Sequence, residues 1–180
     1  MWMPYPGNGI DGWMTPLELE FLFQNAKEMG SVIEVGSWKG RSTHALLSGC
    51  PGTVIAVDHF LGSKEESTAH AEAKKPGDLV YEAFMRNVGH FRNLVVKRMD
   101  TLEAAKECGL ADMVFVDCGH SYEEVKEDIR NWGPKARKLL CGHDYCPAWP
   151  GVRQAVDEAF GRPDGVCGSI WFKAIEHEQA

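Results

Sequence analysis

The sequence predicts an α/β fold, a doubly wound and mostly parallel sheet with helices on both faces. Three observations carry this. Short β-rich runs alternate with helical segments from Val32 onward. The runs are apolar throughout rather than alternately polar, as in strands covered on both sides. Glycine and polar residues gather just past the runs, where a doubly wound sheet keeps its ligand crevice.

The elements follow in order. Residues 1–14 carry Gly, Pro and Trp without a period and read as an ordered arm or flap. Thr15-Pro16-Leu17-Glu18 opens a helix: Thr15 caps it, Pro16 fits the first turn, and Glu18 reaches back to complete a capping box. Leu19, Leu22, Phe23 and Ala26 follow at helical spacing, and Gly30 is placed to end the helix. Strands are expected at 32–35, 53–57, 94–97, 112–116, 138–141 and 170–175, six in all. Helices are expected at 41–47, 78–88, 101–108, 121–131 and 152–160. Ser121 and Glu124 form a second capping box, and Gly133-Pro134 stops that helix. Residues 60–77 hold Lys and Glu without a convincing period; beside the crevice they read as a lid or a solvated loop. No repeat or linker divides the chain, so 1–180 is one domain.

Composition narrows the function. The chain has 180 residues, 26 acidic and 19 basic, for a net charge of -7. An acid surplus argues against a nucleic-acid partner, because neutralising phosphates needs clustered Lys and Arg. Apolar runs are only four or five residues long, too short for a membrane span. Met1-Trp2-Met3-Pro4 lacks a basic segment followed by an apolar one, which argues against a secretory signal and for a cytoplasmic protein. Six scattered cysteines, with no CxxC pair, read as reduced thiols in or near the core.

The first crevice segment reads Glu34-Val35-Gly36-Ser37-Trp38-Lys39-Gly40-Arg41-Ser42-Thr43, a strand end, a turn with glycines four apart, and a helix start. Gly36 permits the turn, and Gly40 permits close approach of helix and ligand. The helix start suits an anionic group. Asp58, 22 residues past Gly36, ends the second strand, where a carboxylate suits ribose hydroxyls. Trp38 stands where a dinucleotide fingerprint has its second glycine and obstructs a pyrophosphate. Glu34 favours a cationic group, such as the ammonium of an amino acid. A ligand with adenosine, carboxylate and ammonium fits better than NAD.

This segment resembles motif I of class I S-adenosylmethionine-dependent methyltransferases. Asp58 matches the acid that ends their second strand, and Met99-Asp100-Thr101 matches their adenine-side turn. Phe115-Val116-Asp117-Cys118-Gly119-His120-Ser121-Tyr122, with Gly142-His143-Asp144-Tyr145, is similar to the small metal-dependent O-methyltransferase branch, which includes catechol-type and macrolide-sugar enzymes. The resemblance implies a Rossmann-like sheet of seven strands with the last antiparallel. It implies S-adenosylmethionine as cofactor, bound by Glu34, Gly36, Ser37, Gly40, Ser42, Thr43, Asp58, His59, Asp100 and Asp117.

A second constellation lies at the ends of the fourth and fifth strands, which should be neighbours about 4.8 Å apart. Carboxylates converging there, Asp117 and Asp144, share a proton or hold a cation. His120 precedes a helix, whose positive end keeps an imidazole neutral and fit to act as a base. The resemblance assigns Asp117, His143 and Asp144 to a divalent cation, Mg²⁺ foremost, and His120 to proton removal. His143 stands where the similar enzymes have a carboxylate, which shifts preference towards a transition metal or weakens the site. The implied reaction is metal-assisted O-methylation of a small hydroxylated acceptor. Trp2, Trp13 and Trp149 line its pocket or fill gaps under loops. Two alternatives stay open: an NAD- or nucleotide-dependent oxidoreductase, against which an antiparallel final strand would decide, and a non-catalytic cofactor-binding homologue.

Overall fold

The computed structural model describes residues 5–62, 67–75 and 77–176. Parts of the expected arm (1–4, with Trp2) and lid (63–66 and 76) lie outside the described residues. One sheet contains β1 (Ser31–Val35), β2 (Thr53–Val57), β3 (Leu94–Lys97), β4 (Ala111–Val116), β5 (Ala136–Gly142), β6 (Gly165–Cys167) and β7 (Ile170–Ala174). Around it lie α1 (Pro16–Ala26), α2 (Arg41–Gly49), α3 (Ser67–Ala73), α4 (Leu79–Val88), α5 (Thr101–Glu107), α6 (Tyr122–Trp132) and α7 (Pro150–Phe160). The strand order is β3-β2-β1-β4-β5-β7-β6. The first five strands are parallel, β7 runs antiparallel to β5, and β6 antiparallel to β7.

The expected elements form with small differences. Both capping boxes close, Thr15 with Glu18 and Ser121 with Glu124. The first helix ends at Ala26 rather than near Gly30, whose N–H instead reaches the Asp112 carboxylate at 2.8 Å. Two elements go beyond the expectation. β6 is the seventh strand, and α3 lies inside the segment read as lid or loop.

The sheet separates two cores, because successive strand residues face opposite ways. Val32, Ala56 and Phe115 pack under α1, α2 and α4 with Leu19, Leu22, Leu46 and Phe84. Ile33, Val57 and Val114 pack on the other side with Ala104, Val125, Ile129, Trp132 and Val156 of α5, α6 and α7. Burying a side chain such as Phe84 or Trp132, both fully covered, stabilises by about 1.5–3 kcal/mol or more. Among the described residues no helix is long and apolar enough to cross a membrane.

The order of the strands reverses between β1 and β4, the switch point where a crevice opens. Each residue that follows a central strand is held by one more ladder bond. Gly36 N–H donates to Val57 O (2.9 Å), Asp58 to Lys97 O (3.2 Å), Asp117 to Val35 O (2.7 Å) and His143 to Val116 O (3.0 Å). The crevice residues therefore sit on the rigid sheet rather than on free loops.

Candidate active site

A cavity of about 570 Å³ opens over the carboxyl ends of the strands, within the range typical of small-molecule sites. Gly36, Ser37, Ser42, Asp58, His59, Asp100, Asp117, His120, His143 and Asp144 line it. Gly12, Trp13 and Met14 of the arm, Ala69 of α3 and Trp149 before α7 line it too, as do Arg41, Glu124, Glu127 and Asp128.

The turn after β1 requires its glycines. A Cβ on Gly36, whose φ is +90°, would fall on the carbonyl oxygen of Asp117. Gly40 (φ +88°) serves a purpose other than the expected one. A Cβ there would press on Val88 and Phe84 at 3.1–3.3 Å, so its bareness lets α4 rather than a ligand approach α2. Trp38 takes a left-handed φ of 46° and its ring meets Trp13 at 5.9 Å.

Glu34 also departs from expectation. It is fully buried, absent from the cavity wall, and accepts hydrogen bonds from the hydroxyls of Ser37 (2.7 Å) and Thr43. Burial pushes its carboxyl up to about 7, against the hydrogen bonds of Ser42, Thr43 and Ser37 that favour the anion. Glu34 and Thr43 thus brace the loop from behind. Asp58 faces the cavity while organising the same loop: Oδ2 accepts the N–H groups of Ser37 (2.9 Å) and Trp38 (2.8 Å), and Oδ1 that of Phe60 (2.6 Å). A carboxylate accepts about four hydrogen bonds, so one direction remains for a ligand hydroxyl. His59 turns its Nδ1 to the Leu61 N–H at 3.0 Å.

At the other end Asp100 caps α5, its Oδ1 accepting from Leu102 (2.9 Å) and Glu103 (3.4 Å). Behind it the Cys118 thiol donates to Asp128 at 3.0 Å. Burial raises the Asp128 carboxyl to about 6 and the Cys118 thiol well above its usual range, so the thiol stays protonated and donates to the carboxylate.

The second constellation converges after β4 and β5. His120 Nε2 lies 2.9 Å from Asp144 Oδ2, and its ring stacks on Trp149 at 4.3 Å. Asp144 is in a left-handed turn (φ 62°). Burial opposes its charge, but hydrogen bonds from His120 and His143 hold its carboxyl well below the usual range. An acceptor-only carboxylate places a hydrogen of His120 on Nε2, facing Asp144.

The expected third ligand, His143, lies beside Asp117 and Asp144. Its Nε2 meets the Ser169 hydroxyl at 2.9 Å and lies 3.4 Å from Glu18 Oε1. Its Nδ1 lies 3.3 Å from Asp144 and 3.6 Å from Asp117. Burial disfavours the imidazolium, yet Asp117, Asp144 and Glu18 together push its pKa up to about 12. The group that brings ligand atoms within 4.8 Å of one another is instead Asp117, His120 and Asp144. One imidazole with two carboxylates is a donor set that accommodates a divalent ion, with Mn²⁺, Fe²⁺ or Zn²⁺ suited better than Mg²⁺.

Sequence reading missed Glu18 and Arg41. Glu18 carries one oxygen in the capping box, while the other accepts from the Ser169 N–H (2.7 Å) and hydroxyl (2.8 Å). The Arg41 guanidinium donates to Met14 O at 2.8 Å and also to Ile10 O, tying the arm to α2. A basic side chain at a helix start, unfavourable for the helix dipole, was the available signal for Arg41.

Comparison with known proteins agrees with this geometry. The family described as a methyltransferase domain matches residues 33–145, more than half of the chain. Cofactor-bound Rv0187 from MTB is 19% identical, with a TM-score of 0.61 over 85% of this chain and 71% of that one. An O-methyltransferase from Bacillus cereus in complex with SAH is 13% identical, TM-score 0.60, over 93% and 84%. TomG from Streptomyces achromogenes, an O-methyltransferase of tomaymycin synthesis in complex with SAM, is 14% identical, TM-score 0.60, over 91% and 82%. Among curated proteins no sequence match is found. The glycine turn, the switch-point cavity and the antiparallel β7 that spoke against an oxidoreductase all agree with the family match: this chain belongs to the methyltransferase-domain family and has the fold of the S-adenosylmethionine-dependent O-methyltransferases.

Proposed function

We propose that the chain methylates a hydroxyl of a small acceptor, with S-adenosylmethionine as donor and His120 as base. The observation that carries this reading is the His120–Asp144 contact of 2.9 Å inside the cavity that the glycine turn and Asp58 also line. The donor supplies an electrophilic methyl on a sulfonium that is its own leaving group. The chain's work is then to hold the acceptor in line and to take its proton. Asp144 and the Trp149 ring fix the imidazole plane, and the hydroxyl proton passes to the imidazole as the oxygen attacks. Asp58 suits the ribose, and the acidic wall suits a donor of net charge +1. Trp13, Trp38 and Trp149 give the acceptor an apolar surround.

The test has two arms. S-adenosylhomocysteine should raise the melting temperature and NADH should not, because only a ligand selective for the native state stabilises it. With a labelled methyl donor and a panel of small hydroxylated compounds, His120→Ala should lower turnover by roughly 10²–10⁴-fold while leaving S-adenosylhomocysteine affinity nearly unchanged. Stabilisation by NADH alone, or full turnover in His120→Ala, refutes the respective part.

One observation favours a second reading, the ligand atoms of Asp117, His120 and Asp144 within 4.8 Å of one another. A divalent cation held by them would lower the pKa of an acceptor hydroxyl, and His120 would then be a ligand rather than the base. Calorimetry with Mn²⁺ and Mg²⁺ in the presence of S-adenosylhomocysteine separates the two. Heat that Asp117→Asn abolishes supports the metal reading, and no heat at millimolar concentration retires it.

A further inference from the structure

Lys39, in the middle of the glycine turn, has no part in the reaction just described, yet it is only 8% exposed. Its Nζ lies 2.7 Å from Asp11 Oδ2 and 2.7 Å from Glu72 Oε1. Left-handed Trp38 (φ 46°) and Gly40 (φ 88°) flank it, and its carbonyl accepts from Asn87 Nδ2 at 2.8 Å, so the direction of the side chain is fixed. The Trp38 ring lies 5.4 Å from the ammonium. Burial disfavours the ammonium, and the two carboxylates more than offset this, so the side chain stays charged.

The two carboxylates come from different covers of one cavity. Asp11 belongs to the arm, whose next residues Gly12, Trp13 and Met14 line the wall, and Glu72 belongs to α3, whose Ala69 lines it too. We propose that Lys39 is a positioning residue for the cofactor: its ammonium clamps the arm and α3 together over the cavity and thereby sets how long the cofactor stays bound. This rests on the cofactor reading above. Without the ammonium, two carboxylates held about one site repel each other and part the two covers.

Lys39→Met keeps most of the stem and removes the charge. It should speed dissociation of S-adenosylhomocysteine, followed by tryptophan fluorescence, by about tenfold, as expected for removing a covered ammonium shared by two partly exposed carboxylates. Lys39→Arg should recover part of the loss, and Asp11→Asn or Glu72→Gln should each give a smaller increase. Chymotrypsin cleavage after Trp13, measured without any ligand, should quicken in Lys39→Met. That readout stands apart from the cofactor: a wild type that binds no S-adenosylhomocysteine sinks the cofactor reading, while cleavage still reports on the clamp. Dissociation and cleavage both within twofold of wild type would overturn the proposal, and a lower melting temperature alone would leave Lys39 a packing residue. Should Lys39→Met fail to fold, Asp11→Asn, at a carboxylate 75% exposed, carries both measurements.

Discussion

Glu34 is the one acid of the glycine turn, and it is buried. Its side chain is sealed beneath the loop, and Oε1 has no hydrogen-bond partner among the described residues. The pKa rises from an ordinary 4.5 to about 7. An acid with a raised folded pKa takes up a proton on folding, so its contribution is full below pH 4.5 and is lost as pH rises through about 7. Glu34→Gln keeps an oxygen for the Ser37 and Thr43 hydroxyls and removes the titration. Thermal melts from about pH 4.5 to 8 should therefore show the variant gaining on the wild type as pH rises, by on the order of 3 kcal/mol over the window. Parallel melting curves would show that Glu34 does not titrate there. Sequence position placed Glu34 correctly at a strand end, but its partner Thr43 becomes a neighbour only when α2 folds back over β1. The surroundings of His143 were only partly legible for a similar reason. Its motif position was clear, and so were Asp117 and Asp144, whereas Glu18, the third acid beside its ring, lies far upstream in a helix whose capping box explained that acid fully.

At the scale of elements, the strand-to-helix turns were legible because glycines and caps are local signals. The turn after β1 makes a strong claim. Gly36→Ala needs a left-handed alanine, costing about 1–2 kcal/mol, and also drives a methyl into the Asp117 carbonyl at the end of β4. Its cost should exceed the strain alone and remove cofactor binding together with stability. Gly109, with nothing within 4 Å of an added Cβ and no positive φ, is the control. Gly109→Ala should melt within about 1 kcal/mol of wild type or slightly higher. Equal melting temperatures for the two variants would refute the steric account of the turn. The elements that escaped reading are short and lack a pattern. β6 has three residues, and pairing with β7 rather than a period of its own makes it a strand. The sequence of α3, STAHAEA, has no large apolar residue to mark a buried face.

Over the whole molecule, the net charge of -7 is concentrated where it bears on function. Seven carboxylates line the cavity; against them stand the Arg41 guanidinium, committed to backbone carbonyls of the arm, and the His143 imidazole, kept charged by the acids around it. Doubly wound topology accounts for this, since β1, β2, β4 and β5 all end at the same crevice and bring acids from distant parts of the chain together. Such a focused negative field attracts cations and repels anions. S-adenosylmethionine carries a sulfonium and an ammonium against one carboxylate, net +1, whereas S-adenosylhomocysteine is net neutral. Loss of the methyl thus removes the charge that drew the donor in, and the field favours exchange of product for donor. Association of S-adenosylmethionine should therefore slow as salt rises, by roughly tenfold between low ionic strength and about 1 M, where the Debye length falls to about 3 Å. Association of S-adenosylhomocysteine should change little over the same range. Stopped-flow tryptophan fluorescence on both ligands measures the difference. Equal salt dependence would mean that the acids of the cavity act only through local contacts and not through their summed field.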